Sequence, residues 1–236
     1  LSLDLFSLKY TSENVSLFPA LINTVTMTLL SLLIAVPLGI FSAIFLVEYA
    51  KRGNKLVSVV RITAETLSGI PSIVYGLFGF LLFVTTLGFG YSLLAGALTL
   101  SIMILPVIMR TTEEALISVP DSYREGSLGL GAGKLRTIFK IILPSAIPGI
   151  LAGVILSVGR IVGETAALIY TAGSVAQIPD NLMGSGRTLS VHLYALWTEG
   201  LNTEQSYATA VVLLVMVIGL NALSAYVAKR LGRGKA

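Results

Sequence analysis

The sequence predicts an all-α, polytopic membrane protein, with about six transmembrane helices in the intact chain and five of them within its 236 residues. Only 12% of the residues are charged, about half the share that is usual in soluble domains. The mean hydropathy is +0.88, and the apolar residues are gathered into long stretches rather than spread along the chain. Cysteine is absent, which excludes disulfide scaffolds and thiolate metal sites.

Five hydrophobic stretches are the predicted spans, since each approaches or exceeds the roughly 20 residues that a helix needs to cross a bilayer. The first is longer than a bilayer requires and carries Pro37 and Gly39 near its middle. We therefore expect it to be tilted, kinked or prolonged beyond the membrane. The five stretches cover residues 18–49, 71–87, 93–109, 147–170 and 207–227.

Basic residues are divided unequally between the two sides of the predicted membrane. One side has only Lys9 and Arg187, whereas the other carries three basic groups and the C-terminus. The positive-inside rule predicts a cytoplasmic C-terminus and an extracytoplasmic Leu1. No signal peptide precedes the first stretch, so we expect one further membrane helix before Leu1. The cytoplasmic groups are Lys51, Arg52, Lys55 and Arg61; Arg110, Arg124, Lys134, Arg136 and Lys140; and Lys229, Arg230, Arg233 and Lys235.

The segments between the spans also contain predicted helices. Residues 57–67 form the first, in which Arg61 and Glu65 have the i,i+4 spacing of an ion pair. The outer segment 172–206 is predicted to carry a helix that lies at the membrane interface, with His192 as an anchor rather than a ligand. The apolar side chains at helical spacing on which this prediction rests are Leu189, Leu193, Leu196 and Trp197.

The cytoplasmic loop between the third and fourth spans, residues 110–146, is too regular for a linker. Pro120 and Asp121 are favourable first-turn residues for a helix that ends near Leu128. Three glycines then permit a tight reversal, and a second helix over 134–142 places four apolar side chains on one face. Such a helix–turn–helix with an apolar ridge fits a groove on another protein. The glycines are Gly129, Gly131 and Gly133, and the ridge is Leu135, Ile138, Phe139 and Ile142.

A motif in this loop resembles that of the permeases of ABC importers. Their cytoplasmic loop has Glu, two small residues, three residues of any kind, Gly, nine of any kind, Ile, one of any kind, and Leu-Pro. This sequence keeps every spacing and has Gly-Ser in place of the usual Ala-Ala. The resemblance implies that the loop docks on an ATPase subunit and transmits its motion. The residues expected to carry this coupling are Arg124, Glu125, Gly126, Ser127, Gly131, Leu135, Ile138, Phe139, Ile141, Leu143 and Pro144.

Two ionisable residues, Arg160 and Glu164, lie near the middle of the fourth predicted span. At that depth each costs about 2.5 kcal/mol or more unless it faces a bundle interior or a polar cavity. Their i,i+4 spacing predicts that both lie on one helix face, with Ser157 one turn away. Two interpretations stay open: an ion pair that locks two helices together, or a path for an anion. Small residues at i,i+4 spacing predict close approach of another helix; these are Gly149 with Gly153, and Gly159 with Gly163.

Three stretches resemble phosphate-specific ABC permeases: residues 36–40, 69–76 and 159–166, the last matching their Arg-x-x-Gly-Glu-Thr segment. The C-terminal part is more similar to the A-type subunit of the phosphate system than to its C-type partner. Permeases for sulfate and molybdate are similar but tend to have an aromatic residue where this chain has Thr165. The resemblance favours the anion path, with Arg160, Glu164 and Ser157 along it.

The resemblance implies a single type I importer permease domain over residues 1–236. Its partners would be a second permease subunit, two cytoplasmic ATPase subunits, an extracytoplasmic phosphate-binding protein and the lipid bilayer, in a bacterial or archaeal inner membrane. We expect no nucleic-acid partner, no metal, no bond chemistry and no cofactor on this chain, because ATP and Mg belong to the ATPase subunits. A P-loop is excluded, since Leu128 and Leu135 occupy its required Gly and Ser/Thr positions.

Three alternatives remain at this point. The first is a permease of the same type of ABC importer that transports molybdate, tungstate or sulfate. The second is a secondary carrier driven by protons or sodium, with Arg160 and Glu164 as its relay, although such a carrier needs no ATPase dock. The third is a structural or sensory subunit that transports nothing, which the buried arginine disfavours.

Overall fold

The structure is a computed structural model, and it describes residues 6–7, 10–11, 14–51, 53–200 and 202–233. Within these residues the regular structure is entirely helical, which confirms the all-α prediction. The α-helices are α1 (Phe18–Ile44), α2 (Lys55–Ser68), α3 (Ser72–Gly79), α4 (Leu93–Ile117), α5 (Asp121–Gly129), α6 (Lys134–Thr137), α7 (Leu143–Val162), α8 (Ala166–Thr171), α9 (Leu189–Glu199) and α10 (Thr203–Arg233). Three of them continue as π-helical turns, at Phe45–Tyr49 after α1, Phe80–Thr86 after α3 and Ile138–Ile142 after α6.

Four helical segments are long and apolar enough to cross a membrane: Phe18–Tyr49, Leu93–Ile117, Lys134–Val162 and Thr203–Leu223. A fifth candidate is the pair Lys55–Ser68 and Ser72–Thr86, which is bent by 105°. The bend follows from the sequence, because Gly69 and Pro71 lie between the two helices and Pro71 precedes the first turn of α3. The predicted second span is therefore shorter than a bilayer requires unless α2 contributes to it.

The described residues fall into two compact units. The first comprises Leu1–Ile34, Ile70–Met103 and Val158–Leu220, and the second comprises Ala35–Gly69, Ile104–Ser157 and Asn221–Ala236. The second unit has prolines inside three of its helical segments, at Pro37, Pro106 and Pro148.

The first unit is built around close helix contacts at small residues. A Cβ added to Gly76 of α3 would lie 2.8 Å from the Cα of Ala167 in α8, so these two helices touch at their backbones. A separate apolar cluster joins α1, α9 and α10. The first backbone N–H groups of α4 are satisfied from outside the helix, since Leu93 and Leu94 donate to the carbonyls of Gly184 and Leu182 at 3.0 and 2.9 Å.

The core of the second unit is formed by α1, α2, α4 and α7 and by the π-helical turns that follow α1 and α6. Its fully buried members include Leu116, Ile138 and Ile142. Gly149 faces Ala115, whose Cβ lies 2.6 Å from where a Cβ on the glycine would be, and Gly153 faces Thr111 in the same way. This pair therefore allows the predicted close approach. A Cβ on Gly163, by contrast, would meet only the carbonyl of Gly159.

Two local predictions from the sequence are wrong. Arg61 forms a salt bridge with Glu113 of α4 rather than with Glu65, which instead contacts Arg110 at 3.8 Å. The cause is tertiary: α4 continues to Ile117, beyond its predicted end, and presents charged side chains to α2. His192 is fully buried rather than anchored at the membrane surface, because α9 packs inside the first unit. Lys9, Arg52 and Lys235 lie outside the described residues.

Candidate functional site

The fourth predicted span is interrupted close to its two ionisable residues. Helix α7 ends at Val162, and α8 begins only at Ala166. Gly163 weakens the helix at this point. The Glu164 carboxylate then accepts a hydrogen bond from the backbone N–H of Ala167, at 3.0 Å, and so caps α8. We call residues 163–165 the helix break. The prediction that Arg160 and Glu164 share one continuous helix face is wrong, because the helix ends between them.

Glu164 is buried, with 8% of its surface exposed, and it bonds to a second segment of the first unit. Its backbone carbonyl accepts a hydrogen bond from the Ser190 hydroxyl at 2.5 Å, and that hydroxyl lies 3.1 Å from the Thr188 hydroxyl. Residues 186–190, which we call the strap, are therefore attached to the helix break. Irregular backbone at membrane depth is tolerated only where it is buried in protein or lines a cavity, and the strap provides part of that burial.

Arg160 is half-buried in the last turn of α7. Within the described part of the chain no carboxylate forms a salt bridge with it. Its guanidinium interacts electrostatically with the side chain of Tyr75 on α3, a residue that is 6% exposed. The predicted ion pair with Glu164 is absent, so the interpretation as a lock loses its main contact. Tyr75 was missed as a site residue, although it lies in the stretch 69–76 that resembles the phosphate permeases.

Ser157 belongs to the second unit and is fully buried. Its hydroxyl donates to the carbonyl of Gly153, one turn earlier, at 2.9 Å. The Ser157 hydroxyl thus donates its proton within α7, and its place on an anion path stays a prediction.

The loop between the third and fourth predicted spans forms the predicted helix–turn–helix. Helix α5 is followed by a reversal at Gly131, whose φ is +82°, and the N–H of Ala132 donates to the carbonyl of Ser127 at 3.1 Å. The Ser127 and Thr137 hydroxyls are 2.9 Å apart and join the two helices. The small residues of the motif therefore allow the helices to approach, and Glu125 and Gly126 stay exposed.

The four-residue apolar ridge is divided in the structure. Ile138 and Ile142 are buried in the core of the second unit, whereas Leu135 and Phe139 are 63% and 42% exposed. The reason is that α6 runs through π-helical turns into α7, so one side of it must pack against the core. Ile141, Leu143 and Pro144 are half-buried. The exposed apolar side chains form what we call the loop patch: Tyr123, Leu128, Leu130, Leu135 and Phe139.

Arg124 connects the loop to the ends of two long helices. Its Nη2 donates to Glu48 Oε1 at 2.8 Å, in the π-helical turns that follow α1. It also donates to the carbonyls of Leu116 and Val119 at the end of α4, which have no partner within that helix. Both side chains of the ion pair are largely buried, at 19% and 9% exposed. Glu48 was missed from sequence, where the only signal was an acidic residue at the end of an apolar span.

Replacing Gly131 by Val is expected to destabilise the loop by about 1–2 kcal/mol, because a β-branched residue is strained at positive φ. Melting of the purified protein should shift down by roughly 2–8 °C at about 2–4 °C per kcal/mol. Gly129→Val is the matched control, since a Cβ at either position has open space around it but only Gly131 has positive φ. Equal melting temperatures for the two variants would show that the reversal does not depend on this conformation.

The sequence matches a family model described as "Binding-protein-dependent transport system inner membrane component" over residues 35–233. It is 40% identical over 194 residues to the "Probable ABC transporter permease protein YqgI" of Bacillus subtilis, a match that covers 77% of this chain and 66% of that protein. It is 38% identical over 213 residues to the "Phosphate transport system permease protein PstA" of Mycobacterium leprae, which covers 88% and 69% of the two chains. The chain thus spans about two thirds of the length of these relatives.

Solved structures of importer permeases share the fold. A chain of the inward-facing MetNI methionine ABC transporter superimposes with a TM-score of 0.70 at 20% identity, covering 92% of this chain and 94% of that one. A chain of a bacterial alginate ABC transporter gives a TM-score of 0.71 at 17% identity, covering 92% and 80%. With the family model matched over most of its length, this chain belongs to the family of binding-protein-dependent transport system inner membrane components.

Proposed function

We propose that this chain is the membrane-spanning permease subunit of an ATP-driven phosphate importer. The observation that carries the proposal is Arg160, a half-buried cation in a membrane helix that has no carboxylate partner among the described residues and lies one turn from a helix break. An anion crossing the bilayer needs a compensating positive group in a low dielectric. The PstA relatives, which carry the name of a phosphate permease, support the choice of substrate.

Glu164 offers a chemical basis for preferring phosphate to sulfate. Phosphate near neutral pH keeps a proton, whereas sulfate does not. One Glu164 oxygen is engaged with Ala167, and the other can accept a hydrogen bond from protonated phosphate while repelling a fully ionised oxyanion. Molybdate, tungstate and sulfate remain the alternative substrates of an ATP-driven importer of the same type.

The proposed assembly contains a second permease subunit, two cytoplasmic ATPase subunits and an extracytoplasmic phosphate-binding protein. The loop patch is the part of this chain that would enter a groove on an ATPase subunit. Arg124 would then pass the movement of α5 to the ends of α1 and α4 through its bonds to Glu48, Leu116 and Val119. ATP and Mg would be bound by the partner ATPases, and this chain would bind no cofactor.

The chain is a multi-pass inner-membrane protein, and the proposed orientation places its C-terminus and the loop patch in the cytoplasm. The support is the unequal distribution of basic residues. A cysteine at Lys235 should react only with membrane-permeant reagents in intact cells, whereas one at Asn202 should also react with impermeant ones. Labelling of position 235 by an impermeant reagent would reverse the orientation.

Uptake of labelled phosphate by the reconstituted complex tests the substrate. We expect ATP-dependent uptake that excess sulfate or molybdate does not compete for. Glu164→Gln keeps an oxygen for the Ala167 N–H but removes the charge, so it should retain assembly and lose discrimination against sulfate. Molybdate or sulfate uptake in preference to phosphate by the wild-type complex would identify a different oxyanion, and ion-gradient-driven uptake without ATP would identify a secondary carrier.

A further inference from the structure

The first unit contains a second arginine that is buried without a carboxylate partner. Arg187, in the strap, is 5% exposed, and its buried Nε and Nη2 atoms have no hydrogen-bond partner among the residues that the structure describes. Within the described residues it also forms no salt bridge. A guanidinium stays charged at any physiological pH. A buried charge with unused donors is strongly disfavoured unless something compensates it.

The ring of Tyr10 contacts this guanidinium, and His192 lies next to Tyr10. Arg187 Cζ lies 4.9 Å from the centroid of the Tyr10 ring, and that ring meets His192 edge to face at 6.1 Å. Both imidazole nitrogens of His192 are buried without a hydrogen-bond partner. Burial, and then the charge of Arg187, lower the pKa of His192 to about 3. At neutral pH the imidazole is therefore uncharged and can still donate one N–H.

The backbone at Arg187 is hydrogen-bonded to other segments of the first unit, which positions the residue. The Asn23 amide on α1 donates to the carbonyls of Gln177 and Arg187 at 2.8 and 3.1 Å, and the Arg187 N–H donates to the carbonyl of Val175 at 2.9 Å. A cation–π contact with Tyr10 offsets part of the charge but leaves the N–H donors unused. The arrangement thus lacks one component, an acceptor of hydrogen bonds that carries negative charge.

We propose that Arg187, Tyr10 and His192 form a binding site for one oxyanion, separate from Arg160. The planar guanidinium suits two oxygens of a phosphate or carboxylate group, and the His192 N–H supplies a further donor. The oxyanion is either free phosphate or a carboxylate of a partner protein, and both satisfy the same donors. Because Arg187 lies in the strap that bonds to Glu164 through Ser190, occupancy would also steady the helix break. The extracytoplasmic position of this site rests on the orientation proposed above.

The test is equilibrium binding of labelled inorganic phosphate to the assembled complex in lipid nanodiscs, without the binding protein. The measurement is made in the Arg160→Gln variant, so that phosphate binding to this chain reports only the site at Arg187. We expect saturable binding that weakens at least tenfold when Arg187→Gln is added, because two charge-assisted hydrogen bonds are lost. Arg187→Lys, which keeps the charge but not the planar fork, should bind with intermediate affinity. Arg136→Gln, an exposed arginine of the coupling loop, is the matched control and should leave binding unchanged.

The same variants separate the two sources of the oxyanion. If a partner carboxylate fills the site, phosphate will not bind there, but Arg187→Gln will weaken association of the permease subunits or of the binding protein. Arg187→Met then keeps the volume without the unpaired charge and should fold at least as stably as the wild type. Unchanged phosphate binding together with unchanged association in Arg187→Gln would overturn the proposal. The binding assay does not measure uptake. A failure of the proposed phosphate-importer function would therefore be seen in the uptake assay, independently of the result for the Arg187 site.

Discussion

Arg160→Gln is expected to reduce phosphate uptake by at least a hundredfold while the complex still assembles. In the proposed phosphate path the guanidinium compensates the charge of a phosphate within the membrane span, and glutamine has similar length without that charge. Loss of two charge-assisted hydrogen bonds in a low dielectric corresponds to about 3 kcal/mol or more, at 1.4 kcal/mol per tenfold change. Assembly should be retained, since Arg160 forms no salt bridge with any described residue. Uptake is measured per assembled particle after the stoichiometry of each complex has been checked.

Arg160→Lys is the matched control, because it keeps the positive charge but not the planar shape of the guanidinium. A point charge lacks the planar fork that suits phosphate oxygens, so uptake should recover only in part. If instead Arg160 only locks helices together, Arg160→Gln will lose assembled complex, and Arg160→Gln with Glu164→Gln will regain it. Full uptake by Arg160→Gln at normal assembly would remove this residue from the phosphate path.

Phe139→Asp and Leu135→Asp are expected to lower substrate-stimulated ATP hydrolysis at least tenfold while the membrane part still inserts. Both side chains are exposed members of the loop patch, and a carboxylate there would be desolvated without a partner in an apolar groove. Phe139→Leu is the matched control, because it keeps an apolar side chain and should hydrolyse ATP at close to the wild-type rate. Copurification of the ATPase subunits and the hydrolysis rate with phosphate-loaded binding protein are the readouts. Normal stimulated hydrolysis in both Asp variants would mean that the loop patch is not the dock.

The spans and the loop could be predicted because their signals are local. An apolar stretch of membrane length and a Gly at a tight reversal each act over a few residues. Gly131 indeed has a positive φ. The spacing of the loop motif predicted the permease family, and the matched family model confirms it.

The details that the sequence did not predict depend on contacts between distant residues or on competition for hydrogen bonds. A continuous helix through Arg160 and Glu164 was a reasonable expectation, but the Glu164 carboxylate bonds to the Ala167 N–H instead. The sequence also predicts that Ile138 and Ile142 belong to the docking ridge. Periodicity identifies an apolar helix face, but it does not show whether a partner protein or the chain's own core covers that face. The position of Arg187 depends on Asn23, 164 residues earlier, and no local pattern reports such a contact.

We propose that this chain carries a phosphate path at Arg160 and a separate ATPase dock at the loop patch. The most direct test measures ATP hydrolysis and phosphate import together, in the same proteoliposomes, with phosphate-loaded binding protein. Arg160→Gln should hydrolyse ATP at close to the wild-type rate and import almost no phosphate, whereas Phe139→Asp should lose both activities. Phosphate import by Arg160→Gln at the wild-type ratio to ATP hydrolysed would contradict the account.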